Sequence, residues 1–454
     1  MRVSHGVSAV FDDPNLVSCA GLAPVLALAQ RCGLHQLVAD TVTVSGPGSA
    51  NPGLKIPALV AGMVAGADSI DDMDLLRHGG MGRLFGGVRA PSTLGSFLRT
   101  FRFGHVRQLD KVAAAVLVNL AAHTPLLKDA DQMVLVDVDD TVKATYGYAK
   151  QGAGYGYSKV KGLNALLGVV STPTSAPIIA ATRLRKGNVN SARGAARLVA
   201  DTLVTAQRCG ATGLILTRAD SAFYNADVVA AISRGGSRFS ITARMDKAVT
   251  AAIASIPETA WTPIRYPNAI WDDEQQRWIS DAEVAETRYT AFASRGVGRQ
   301  VSARLIVRRV KRLNPAGQGE LLPGYRHHAV FTDSPLTVLQ AEACHRGHAI
   351  VEQVIADLKQ GPLAHLPSGV FNANSAWLVC AAIAFNLTRA AGCLASRFHA
   401  KATTATLRAQ LIQLPGRLAR SARRLVLHLP TDWPWEHPWT GLFTNACGPP
   451  PATP

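Results

Sequence analysis

Three carboxylates crowd the end of an apolar run in "VLVDVDDT", which places Asp137, Asp139 and Asp140 within four positions. In a strand, side chains alternate between faces, so Asp137 and Asp139 share one face while Asp140 points to the other or starts a turn. Like charges this close repel unless a cation or a proton lies with them, so the pair asks for a metal ion or a phosphate-handling site. The plainer alternative is a solvated strand end, with Asp140 and Thr141 turning the chain. Asp220, in "GLILTRADSAF", again follows an apolar run and precedes a helix. Open α/β sheets place ligands at such strand ends, although an aspartate there can serve simply as a helix cap. Glu352 lies in "HAIVEQVIADLKQG", where Val351, Val354, Ile355 and Leu358 form the core stripe of an amphipathic helix. Glu352 borders that stripe, and Lys359, seven residues on, lies about 20° away around the helix axis.

The elements that must position these groups fall into blocks. Residues up to about 125 read as helices, "GLAPVLALAQRCGLHQLVADTV", "IPALVAGMVAGADSIDDMDLL", "STLGSFLRTF" and "DKVAAAVLVNLAA", parted by Gly/Pro-rich joints. Arg89, Arg99, Arg102 and Arg107 cluster around the third of these, which starts after Pro91 with Ser92 or Thr93 as cap. From about 126 to 245 short apolar runs alternate with helical stretches, which makes an α/β domain. Between 246 and 325 the tryptophans and alternating residues of "AWTPIRYPNAIW", "RWIS", "TRYTAF" and "RQVSARLIVRRVKRL" read as antiparallel strands, a β-rich insertion. The α/β domain then resumes, mainly as helices, over 326–395. A basic tail, 396–454, carries Arg417, Arg420, Arg423 and Arg424 as a helix or beside the strand "RLVLHLP".

Composition sets bounds. The chain of 454 residues carries 47 Lys and Arg against 31 Asp and Glu, a net charge of +16, which calls for a polyanionic partner such as nucleic acid. Seven cysteines stand far apart with no CxxC pair, which excludes a zinc ribbon or a disulfide framework and fits a reducing compartment. The opening "MRVSHGVSAVFDD" lacks the apolar core of a signal peptide. The late apolar run Ala376 to Phe385 is half of what a membrane span needs. The expectation is a cytoplasmic protein with no membrane contact.

Two resemblances bear on the aspartates. "VLVDVDDT" satisfies the D-x-D-x-T pattern and resembles haloacid-dehalogenase-type phosphatases, with Asp137 as nucleophile and Asp139 as acid/base, and "LILT" at 214 to 217 is similar to that family's second motif. That family also needs a late acidic pair at a strand end, and the only late Asp-Asp, Asp272 and Asp273, lies in the tryptophan-rich block. A fuller set of motifs resembles the DDE transposases of bacterial insertion sequences, in particular the group numbered 1380. "VDVDDT", "YGYAKQGAGYGYSKVKG", "TRLRKGNVNS", "LTRADSAF" and "VEQVIADLKQGPLAHLPSGVFNANSAWLVCAAIAFNLTRAAG" occur in that group's order, over roughly 130 to 395.

That resemblance implies an RNase H-like catalytic core interrupted by the β-rich block and preceded by a helical DNA-binding domain, an α/β protein overall. It implies Asp139, Asp220 and Glu352 as catalytic ligands of two Mg2+ or Mn2+ ions, with Asp137 the alternative first ligand. Partners would be the element's terminal repeats and target DNA, with a homodimer on paired ends. Candidate phosphate contacts are Arg183, Arg185, Lys186, Arg218, Arg346 and Lys359, and the run Arg299, Arg304, Arg308, Arg309, Lys311 and Arg312. For that run a charged, solvated edge strand is an equal reading. Related transposases often set a tyrosine seven and an arginine four residues before the glutamate. Here those places hold His345 and His348, whose roles stay open, and only Lys359 keeps the pattern.

Overall fold

The structure is a computed structural model and describes residues 6–146, 150–156, 159–264, 271–273, 276–278, 282–311, 325–421 and 424–448. The chain divides into two compact units, one of residues 1–126, 147–151 and 357–454 and the other of 127–146 and 152–356. Residues 357–454 belong to the same unit as the amino-terminal helices.

In the second unit the apolar runs form one mixed sheet. Its strands are labelled here β1 (Met133–Ala144), β2 (Lys161–Ser171), β3 (Ile178–Lys186), β4 (Leu214–Ala219), β5 (Arg238–Thr242), β6 (Ala282–Ala291), β7 (Val301–Lys311) and β8 (Tyr325–Thr332). The order across it is β3-β2-β1-β4-β5-β8-β7-β6, with the short strand Thr262–Ile264 outside β6. β1 runs antiparallel to β2, and β2 to β3, whereas β4 and β5 lie parallel to β1. The helices α1 (Ala195–Arg208) and α2 (Ala226–Arg234) make the crossovers that parallel strands require. The run of β-branched and leucine residues in "LNALLGVVS" follows from burial: β2 is covered along almost its whole length. Gly168 in β2 admits α1 closely, since a Cβ there would sit 1.9 Å from Thr202 Oγ1.

The β-rich block does not fold apart from this sheet. β8 pairs with β5 and carries β7, β6 and Thr262–Ile264 outward as antiparallel neighbours. β7 is therefore flanked on both sides and is not an edge strand. Its arginines are held by acids: Arg304 by Glu286, Arg308 by Glu342, and Arg309 by Glu283 and Glu258 while lying between the rings of Trp261 and Tyr325. Arg299 precedes the strand and pairs with Asp227. Arg312 lies outside the described residues. The unit ends with α3 (Val338–Arg346), a 3-10 turn Gly347–Ala349, and the start of α4 (Ile350–Lys359).

The first unit is helical, with Leu22–Arg31, Leu34–Thr41, Pro52–Ala65, Pro91–Arg99, Phe103–His123, Phe371–Ala395 and Glu436–Cys447 around a core that includes Leu28, Ile56, Leu59, Phe97 and Trp377. Pro91 is the first helical residue and Ala90 the cap position, so neither Ser92 nor Thr93 caps this helix. Arg99 and Arg102 are exposed, and Arg107 pairs with Asp110. The helix Phe371–Ala395 is long and apolar enough to cross a membrane, but it is buried within the unit over nearly all its length, which explains its composition as core packing. The basic tail contains a hairpin, Gly416–Ser421 with Arg424–His428, whose first strand also pairs with Leu16–Val17, so the strand reading of that region holds. Arg417 meets Asp13, and Arg423 lies outside the described residues.

Candidate active site

Everything at the acidic centre follows from the parallel pairing of β1 and β4. The register sets Asp137 opposite Arg218 and Val138 opposite Ala219, so the next residues along, Asp139 and Asp220, stand side by side where β4 ends and β1 runs on without it to Ala144. Their charges act on each other. Burial, opposed by the hydrogen bond from Asp140 N and reinforced by the charge of Asp220, pushes the Asp139 carboxyl up to about 6. Burial likewise raises the Asp220 carboxyl. Each aspartate spends one oxygen locally: Asp140 N donates to Asp139 Oδ1 at 2.7 Å, and Ala222 N to Asp220 Oδ1 at 2.9 Å. Asp220 is thus both a cap and a strand-end carboxylate. Two carboxylates paired in a desolvated setting suit a hard divalent cation.

Asp137 and Asp139 do not share a role even though they share a face. Asp137 is fully buried, and Arg218 grips it through both oxygens, Nε to Oδ1 and Nη2 to Oδ2, each at 2.7 Å. His348 Nδ1 lies 2.8 Å from Asp137 Oδ1. Arg218 is itself buried and donates from Nη1 to the carbonyl of Cys344 at 2.6 Å. Gly347 makes room for it, since a Cβ at that position would stand 2.9 Å from Nη1. Arg218 thus sits inside the protein as the counter-charge of Asp137, away from any surface on which it could meet a phosphate.

Asp140 points to the other side, as strand alternation requires, and pairs with Arg185. The guanidinium of Arg185, also buried, further reaches Asn164 Oδ1 and the carbonyls of Ser191 and Arg193. These bonds tie β1, β2, β3 and the approach to α1 together. Around this point a groove of about 530 Å³ is lined by Arg183, Lys186, Asn188, Asn190 and Arg193. Lys186 and Arg193 are exposed there, and Arg183 pairs with Asp201 at 3.0 Å.

On the helical side, Glu352 is exposed in the first turn of α4. Among the described residues no three His, Cys, Asp or Glu side chains form a group that could hold a metal, so Glu352 is not drawn into a closed set with Asp139 and Asp220. His345 is engaged at both ring nitrogens, with Ser240 Oγ at 2.9 Å and Thr242 Oγ1 at 3.0 Å. Burial, with the charges of His348 and Arg218, pushes its pKa down to about 3, so it is neutral at physiological pH. Arg346 pairs with Glu342, and Lys359 is exposed at the end of α4.

The sequence reading missed the Arg218–Asp137–His348 cluster. A signal was available: a charged residue in each of two apolar strands, "LVDV" and "LTRA", has to find an opposite charge if both strands are buried.

Comparison with known proteins supplies the family. No curated protein matches the chain. The family model of the transposase DDE domain, group 1, matches residues 2–446. A phosphatase built on Asp137 as nucleophile is not favoured, since that carboxylate is sealed from solvent against Arg218 and His348. Nearly the whole chain, and not the acidic strand alone, fits one description: the protein belongs to the DDE transposases.

Proposed function

We propose that this transposase cuts DNA at the ends of its own mobile element and joins the freed 3′ ends to target DNA, with Asp139, Asp220 and Glu352 as catalytic carboxylates. The observation that carries the reading is the emergence of Asp139 and Asp220 together, desolvated and mutually repelling, where β4 ends beside the parallel strand β1. The strand order β3-β2-β1-β4-β5, three antiparallel strands followed by two parallel ones with crossover helices, supports an RNase H-like core. β6 to β8 would be the β-rich insertion, grafted on the outer edge of β5 before the glutamate helix.

Asp139, Asp220 and Glu352 are the residues that would hold Mg2+ or Mn2+, as two ions. The bound cations would supply Lewis-acid relief of the charge gathering on the phosphate. The chain's own residues do the rest. The repulsion stored between Asp139 and Asp220 makes the site receptive to positive charge. Asp137 and Arg218 tie β1 to β4 two residues before each of these carboxylates. Lys186 and Arg193 in the groove beside β3, with Lys359 and Arg346 on the helical side, would take DNA phosphates, which orients the duplex without reading its sequence. Reading of the terminal repeats falls to the amino-terminal helices with Arg99 and Arg102. The protein would work as a homodimer on paired ends, in the cytoplasm, where the bacterial chromosome lies. Release of a nicked product from a labelled duplex carrying the element's end, in Mg2+ and not in EDTA, tests this reading. Binding without cutting under both conditions would refute it.

A further inference from the structure

We propose that His348 is a catalytic residue of the cleavage step, its Nε2 receiving the proton of the attacking water, with Asp137 as the residue that orients it. The inference rests on the reading of the acidic centre as a nuclease site. Asp137 is a carboxylate salt-bridged to Arg218 and can only accept hydrogen bonds, so the Nδ1 of His348, 2.8 Å from Asp137 Oδ1, carries the proton of that bond. The bond to Asp137 thereby favours the tautomer that carries its proton on Nδ1 and leaves a lone pair on Nε2. The geometry is that of a base oriented by a buried acid, and the acid here is held in turn by Arg218 and the Cys344 carbonyl.

The placement of the ring is equally specific. Its partner Asp137 stands two residues before Asp139 on β1 and opposite Arg218, itself two residues before Asp220, and the ring is part-exposed, which leaves a path for substrate. The groups around it are Asp137 and Asp139 on β1, Arg218 and Asp220 on and beyond β4, and His345 on α3, whose ring stacks at 6.5 Å. His345 has both nitrogens on hydroxyls and cannot compete for the task. In the step, an O–H bond of water breaks and its proton passes to Nε2, while the water oxygen bonds to phosphorus. The P–O3′ bond breaks with its electron pair on the 3′ oxygen, which takes a proton from solvent. The imidazolium then returns its proton to solvent.

The experiment is single-turnover cleavage, in Mg2+, of a labelled duplex bearing the element's end by full-length wild type, His348→Ala and His348→Gln. General-base assistance of this kind is worth about 100-fold or more. Both variants should lose about that factor while folding and binding the duplex as wild type does, and free imidazole should restore a large part of the rate to His348→Ala only. His348→Gln keeps a side chain able to donate to Asp137, and so retains the packing if the alanine variant does not fold. Rates within about threefold of wild type, or a loss that imidazole leaves untouched in a folded alanine variant, overturn the assignment of His348 alone. A wild type that does not cut at all overturns the nuclease reading and the proposal with it.

Discussion

Replacing Asp139 by asparagine should make the metal-free protein more stable, at the expense of activity. Burial first, then the neighbouring charge of Asp220, lifts the Asp139 carboxyl from 3.8 to about 6 in the folded chain. A raised carboxyl favours folding below the unfolded pKa, where both states are protonated alike. That contribution is lost as pH rises through about 6, because folding then confines a charged carboxylate in a desolvated site. At 1.36 kcal/mol per tenfold change in acidity, the displacement amounts to about 3 kcal/mol by neutral pH. Asparagine keeps the oxygen that accepts from Asp140 N and removes the charge. In EDTA at pH 7.5, Asp139→Asn should therefore melt several degrees above wild type, taking about 2–4 °C per kcal/mol for a unit of this size. Near pH 4 the two should melt together, and Mg2+ at pH 7.5 should raise wild type toward the variant. Thermal unfolding under these conditions provides the check. An asparagine variant that is less stable than wild type at pH 7.5, or equally advantaged at both pH values, would refute the reasoning.

Other consequences can be measured on the same protein. Arg185→Ala leaves the partly buried Asp140 without its counter-charge and strips the bonds to buried Asn164 and two carbonyls, so urea unfolding should show a loss of about 3 kcal/mol. A loss below about 1 kcal/mol would mean that the network does not hold the strands together. Lys186→Glu combined with Arg193→Glu, both exposed on the groove, should weaken duplex binding and lower the salt dependence by roughly two counterions, with the melting temperature unchanged. An unaltered salt slope would take the groove out of the DNA path.

The fold and the site were legible in the sequence to different depths, for physical reasons. Alternation is a local property, so the strand under "VLVDVDDT", the placing of Asp139 on one face and Asp140 on the other, and the cap at Asp220 could be read from a few residues, whereas the run of that strand on to Ala144 could not. Partner choice is not local. That Asp137 faces Arg218 depends on the parallel register of strands 81 positions apart, and sequence alternation alone made Asp137 and Asp139 look equivalent. The same limit explains β7: its arginines look like a guarded edge until β8 and β6 are seen on either side, with glutamates placed to meet them. The grouping of residues 357–454 with the amino-terminal helices is likewise a long-range fact. Only the apolar length of Phe371–Ala395 hinted that a core helix lay there.

The most direct test of the central claim is Mg2+-dependent cleavage of the end-bearing duplex by Asp139→Asn, Asp220→Asn and Glu352→Gln beside wild type. The account predicts that each variant binds the duplex as wild type does and that none of them cuts it. Cutting that survives the loss of Asp220 or Glu352 would contradict it.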